Sequence, residues 1–128
     1  MSPWRWVSEA VVIATHDEQL AEHGGAPGVR DLALLQSALA RPKNLVAYGS
    51  PDIAALTAAY ACGITKNHPF VDGNKRTALL TANLFLLDHG HDIGANDAEL
   101  LAIMLGVSDG SMSETQFAEW LRRNIIPA

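Results

Sequence analysis

The sequence predicts an all-α protein: a single compact helical bundle of about six helices over residues 1–128, with a buried helix at its centre. Three observations carry this. Its 128 residues include 20 alanines and 16 leucines, both strong helix formers, and 48% of the chain is hydrophobic. Prolines, glycines and capping residues cut it into pieces of helical length. Within those pieces the apolar residues recur at helical spacing. A chain of this size can bury one continuous core without disulfide or metal staples, and it leaves little room for a second domain.

Ser8 is a good N-cap and opens the first segment, which runs to His23 and stops at Gly24-Gly25. The second starts at Asp31, carries Leu32, Leu35 and Leu39 on one face, and ends before Pro42. Ser50-Pro51 reads as N-cap plus first-turn proline for a third helix, Asp52 to about Asn67. A fourth covers Lys75 to Asp88, with Gly90 just beyond. Asn96 with Glu99, and Ser113 with Gln116, have capping-box spacing for a fifth and a sixth. Phe117, Trp120 and Leu121 make the last helix one-sided, so it lies on the surface. The third segment is Ala-rich on every side. The fourth is apolar nearly all round, apart from a stripe of Thr77, Thr81 and Asp88. These two belong in the middle, packed together, with the others around them.

Composition excludes several functions. A net charge of −5 argues against a nucleic-acid binder, which usually presents a basic surface. The single cysteine, Cys62, lies in an apolar run; it reads as core, points to a cytoplasmic chain, and rules out zinc sites built from several thiolates. The longest apolar stretch, Ala78–Leu87, is broken by Thr81 and Asn83 and is too short to span a bilayer. Trp4-Arg5-Trp6 runs at once into Ser8-Glu9, which is unlike a secretory leader. The expectation is a small soluble protein without a membrane partner.

Chemistry concentrates between the two central segments, in Asn67-His68-Pro69-Phe70-Val71-Asp72-Gly73-Asn74-Lys75-Arg76-Thr77. Pro69 disfavours helical geometry at His68, so the imidazole sits where the third helix has ended. Phe70 and Val71 can anchor the loop in the core. Gly73 permits backbone angles that other residues resist, and Asn74 tolerates them. Such a turn aims main-chain N–H groups outward at the positive end of a helix, forming a nest for phosphate. Lys75 and Arg76 put cations on the first turn, where the helix dipole disfavours them unless an anion binds there. Asp72 offers a hard oxygen suited to magnesium, and His68 a group that takes a proton near neutral pH. Together these are the parts needed for phosphoryl chemistry. No Walker A loop, nucleophile elbow or dinucleotide fingerprint occurs.

The run His68-Pro69-Phe70-Val71-Asp72-Gly73-Asn74-Lys75-Arg76 resembles the signature of the Fic/Doc (Fido) family, and Lys75 resembles its death-on-curing (Doc) branch. The likeness extends to Gly24-Gly25, Gly28-Val29-Arg30-Asp31 and Leu34-Leu35-Gln36-Ser37-Ala38-Leu39 followed by Pro42, and covers about Trp4 to Leu121. It implies a helical bundle, the Fido fold, whose central helix follows the motif loop. It implies His68 as general base toward a target hydroxyl and Asp72 as the residue holding the nucleotide's magnesium. Gly73 and Asn74 then form the phosphate nest, and Arg76 contacts nucleotide phosphates. In the adenylylating Fic pattern a glycine stands at Lys75 and an arginine at Leu79. In the Doc branch ATP binds in the opposite sense and offers its γ-phosphate to a threonine of elongation factor Tu, halting translation. Gly73 is alanine in the best-known Doc motif. The inhibitory helix of many Fic proteins has only a partial match, Thr115 to Glu119, followed by Trp120. Inhibition is therefore expected from a separate prevents-host-death-type antitoxin.

Other features read more simply. His16-Asp17 resembles the dipeptide of metal phosphohydrolases, but no ordered ligand series follows, and a partly exposed helix face explains it. His89-Gly90-His91-Asp92 reads as a polar helix stop, and Trp4 and Trp6 as a cover for the end of the bundle. Asn44 to Tyr48 resembles the family's target-docking flap, or else is an ordinary loop. Three functions compete: an ATP- and magnesium-dependent protein kinase acting as a toxin, a nucleotidyltransferase moving AMP onto a protein hydroxyl, and an idle phosphate- or antitoxin-binding scaffold. Base, carboxylate and arginine together disfavour the last.

Overall fold

The computed structural model describes residues 3–128. Its elements run α1 (Glu9–His23), α2 (Leu32–Tyr48), α3 (Ile53–Asn67), α4 (Asn74–Leu87), β1 (His91–Ile93), α5 (Asp97–Asp109), α6 (Glu114–Asn124) and β2 (Ile125–Pro127). The bundle is helical, as expected. No helix among the described residues is long and apolar enough to cross a membrane.

The caps explain most boundaries. The Ser8 hydroxyl accepts from the Val11 N–H, Asp31 from Leu34 and Asn96 from Glu99, while Ser113 and Gln116 complete a reciprocal capping box. Two boundaries differ from the sequence reading. The third helix is capped by Asp52, whose carboxylate accepts from Ala55, so Ser50 and Pro51 lie outside it. Asp52 wins because it also receives the Arg122 guanidinium, at 2.6 and 3.0 Å. The second helix does not end before Pro42 but continues through it to Tyr48, with Pro42 buried.

Pro42 has no N–H for the carbonyl four residues back, that of Ala38. That carbonyl faces Gly63 of α3, where an added methyl would stand 3.3 Å from the Ala38 oxygen and Cα. The closeness of the α2–α3 packing holds the helix together across its missing hydrogen bond. Asn44 to Tyr48 is accordingly helix, so the segment is neither a strand-adding flap nor an ordinary loop.

Helix α3 forms the axis. It is buried without interruption from Leu56 to Thr65 and packs most extensively on α4 and α2, then on α6. Helix α4, after the motif loop, buries Thr77, Ala78, Thr81, Ala82, Phe85 and Leu86 but leaves Leu80 and Leu87 partly exposed. The Phe85 ring is ringed by Trp4, Trp6, Tyr60 and His89, so the two tryptophans do close that end of the bundle. Residues 89–92 do more than stop a helix. His91–Ile93 pairs antiparallel with Ile125–Pro127, placing Ile93 opposite Ile125 and burying it. That ribbon ties the last strand to the end of α4.

Candidate active site

Helix α3 closes on His68, which takes the left-handed conformation (φ 52°, ψ 53°) and donates its N–H to the Ile64 carbonyl at 3.1 Å. For a residue with a Cβ this conformation costs about 1–2 kcal/mol, so something must hold it. Arg30 does. Its Nε donates to the His68 carbonyl at 2.8 Å and its Nη2 to the Asn67 carbonyl at 3.0 Å. A cation at the negative end of α3 is also favoured by the helix dipole. The main-chain N–H groups of Arg30 and Asp31 both donate to the Pro69 carbonyl, Val71 donates to Gly28, and Val29 bridges Phe70. Residues 28–31 are thus zipped along the loop, with the His68 side chain left exposed.

Phe70 anchors the loop, as expected, and is fully buried. Its N–H donates to Asn74 Oδ1 at 2.9 Å, and its carbonyl accepts from Asn74 Nδ2 at 3.0 Å. The Asn74 side chain is therefore spent on the loop, and what it offers a ligand is its main-chain N–H. On the other side the Phe70 ring stacks on His16, with centroids 3.9 Å apart and planes 8° apart. His16 is 1% exposed, and its Nε2 lies 2.8 Å from the Asp72 carbonyl. A carbonyl only accepts, so Nε2 carries the proton. The partly exposed face read from His16-Asp17 holds for Asp17 but not for His16, which supports the site. Its signal was the burial spacing Val12, His16, Gln19 along α1, which sequence alone does not separate from an exposed stripe.

The Asp72 carboxylate is exposed, yet aimed. Oδ1 accepts from the Gly73 N–H at 2.8 Å and Oδ2 from Ala26 at 3.3 Å. Gly25 makes this possible, since an added Cβ there would stand 3.0 Å from Asp72 Oδ2. The second glycine of the pair that stops α1 thus also makes room for the carboxylate. Among the described residues no cluster of three or more His, Cys, Asp or Glu side chains could cage a metal. A lone exposed carboxylate with free lone pairs suits magnesium, which keeps waters and takes its other ligands from substrate phosphates. The donor set fits that ion.

Gly73 caps α4 from the left-handed region (φ 73°, ψ 22°), and no side chain caps that end. The first-turn N–H groups of Asn74, Lys75 and Arg76 are left for a ligand. Neither Lys75 nor Arg76 pairs with a carboxylate among the described residues. Around this terminus is a recess of about 270 Å³, lined by Gln19, His23, Gly24 and the run Asp72–Arg76. A larger open hollow of about 570 Å³ between the ends of α2 and α3 has neither a histidine nor a carboxylate on its walls. The smaller recess is the polar one and carries the run Asp72–Arg76, while His68 lies outside its walls.

The family model that matches covers residues 6–86, from the start of the bundle through α4, and is described as the Fic/DOC family. The chain belongs to that family. It is 34% identical over 120 residues to the "Protein kinase doc" of Escherichia phage P1, covering 93% of this chain and 94% of that protein. It is 42% identical over 76 residues to the "Toxin Doc" of Mycolicibacterium smegmatis, covering 57% of this chain and 58% of that one. The family match takes in both the motif loop and the α1 residues that brace it.

Proposed function

We infer that this Fic/DOC protein is a Doc-type toxin: a single-domain, magnesium-dependent protein kinase that moves the γ-phosphate of ATP onto a hydroxyl of a translation factor in the cytoplasm. The observation that carries the reading is the uncapped α4 terminus, with Lys75 and Arg76 unpaired beside it and an exposed His68 on the same short loop. Two uncompensated cations at the positive end of a helix are unfavourable until an anion arrives.

In this reading the first-turn N–H groups and Arg76 hold phosphate oxygens, while Lys75 adds a point charge that favours the γ-phosphate facing His68. His68 accepts the proton of the attacking hydroxyl as the oxygen–phosphorus bond forms and ADP departs. Asp72 would hold Mg²⁺, which neutralises charge on the phosphates when bound. Little covalent work falls to the protein; orientation and electrostatics supply the rate. The names of the two relatives favour kinase and toxin over adenylyltransferase. A threonine of elongation factor Tu is the proposed acceptor, and a separate prevents-host-death-type antitoxin, folding as it binds, the proposed inhibitor.

Purified protein incubated with elongation factor Tu and Mg-ATP, then weighed by intact mass spectrometry, tests this. A phosphate adduct on the factor is expected. An AMP adduct would overturn the kinase assignment, and an unmodified factor would overturn the target.

A further inference from the structure

Helix α1 turns Val12, His16 and Gln19 inward. His16 has its partners, but Gln19 does not. Gln19 is 2% exposed, and its Nε2 is a buried amide nitrogen with no acceptor among the described residues. A buried donor left unpaired is a standing cost to the fold, and at a functional site the missing partner is often the ligand. Its place is telling. A Cβ added at Gly73 would stand 2.0 Å from Gln19 Nε2 and 3.1 Å from its Cδ. The carboxamide fills the volume that any side chain at position 73 would take. Gln19 also lines the recess at the start of α4, beside Lys75 and Arg76.

We propose that Gln19 is a phosphate ligand: its carboxamide N–H completes the anion nest, from the space that the glycine at position 73 leaves open. This role presupposes that the recess binds nucleotide phosphates. The terminal torsion of a glutamine is a broad two-fold rotor, so the amide can swing from Gly73 to a phosphate oxygen without moving its stem. It adds a directional, neutral donor to a site otherwise made of main-chain N–H groups and cations. It also links two positions far apart in sequence. A methyl at 73 displaces the amide, so Gly73 and Gln19 act as a pair.

The test compares Mg-ATP affinity, by calorimetry, with the melting temperature of the nucleotide-free protein. Gln19→Met keeps the length and removes the donor. It should melt no lower than wild type, because an unpaired group has been replaced by an apolar one, yet bind Mg-ATP about tenfold more weakly. A Gln19→Met protein that melts lower and binds like wild type would make Gln19 merely structural and overturn the proposal. Arg76→Ala separates the two levels. If it lowers affinity while Gln19→Met does not, Gln19 alone is wrong; if it too leaves affinity unchanged, the nucleotide reading of the recess fails and the Gln19 role with it.

Discussion

Replacing Arg30 by methionine tests how the base is held in place. Methionine keeps much of the stem but removes the donors that reach the His68 and Asn67 carbonyls at 2.8 and 3.0 Å. Hydrogen bonds from a charged donor contribute about 1.5–3 kcal/mol each. Arg30 is exposed, so solvent competes and about 1 kcal/mol apiece is the better figure. Losing about 2 kcal/mol of support against a left-handed penalty of about 1–2 kcal/mol leaves His68 free to relax from φ 52°. A net shift of about 1.4 kcal/mol on the productive conformer is tenfold. Phosphate transfer by Arg30→Met should therefore fall about tenfold in kcat. The KM for ATP should stay within about twofold, because Asp72 is held separately by His16 and Ala26, and Phe70 by Asn74. Arg30→Lys, with one point donor in place of a fork, should fall between the two. Steady-state transfer to the acceptor protein, with nucleotide affinity measured alongside, reads both quantities. Wild-type kcat in a folded Arg30→Met protein, or a raised KM with unchanged kcat, would refute the reasoning.

His68→Ala should reduce transfer by about 10²–10⁴-fold while leaving nucleotide affinity intact, whereas Asp72→Ala should change the magnesium dependence of binding; calorimetry at several magnesium concentrations distinguishes them. Arg122 beside Asp52 holds that carboxyl below its usual 3.8. A lowered folded-state value means a stabilisation present above the unfolded value and lost as pH falls through the folded one. Thermal melts from about pH 5 down to about pH 2 should show a shallower acid decline for Asp52→Asn, which keeps the helix cap. Burial pushes the Cys62 thiol up to about 12, so a thiol reagent at mildly alkaline pH should label it only after unfolding. Rapid labelling of the native protein would place Cys62 outside the core.

Much of the fold was legible because helix signals are local. Ser8, Asp31, Asn96 and Ser113 each announce a helix through a side chain that caps it, and Gly24 marks an end. The path of α2 through Pro42 was not legible, since it depends on a neighbour, Gly63, coming close to the Ala38 carbonyl. The ribbon of β1 and β2 hid for the same reason, as three-residue strands far apart in sequence carry no period of their own. The loop residues His68, Phe70, Asp72, Gly73, Lys75 and Arg76 could be read as a candidate site because one contiguous string holds them. Their supports, Arg30, His16, Gly25 and Gln19, come from other segments, and each looks ordinary in isolation. His16 passed for a helix-face histidine until burial and its contact with Asp72 were visible.

In the proposed reaction the α4 nest, with Lys75 in it, presents the γ-phosphate to the acceptor. Transfer from γ-labelled and from α-labelled ATP, measured side by side for wild type and for Lys75→Gly, tests it most directly. Both transfers would use the same base and metal, so orientation decides between them. Wild type should transfer label from γ-labelled ATP alone, and Lys75→Gly should lose that transfer and gain some from α-labelled ATP. Efficient labelling of the acceptor by wild type from α-labelled ATP would contradict the claim and make the protein an adenylyltransferase.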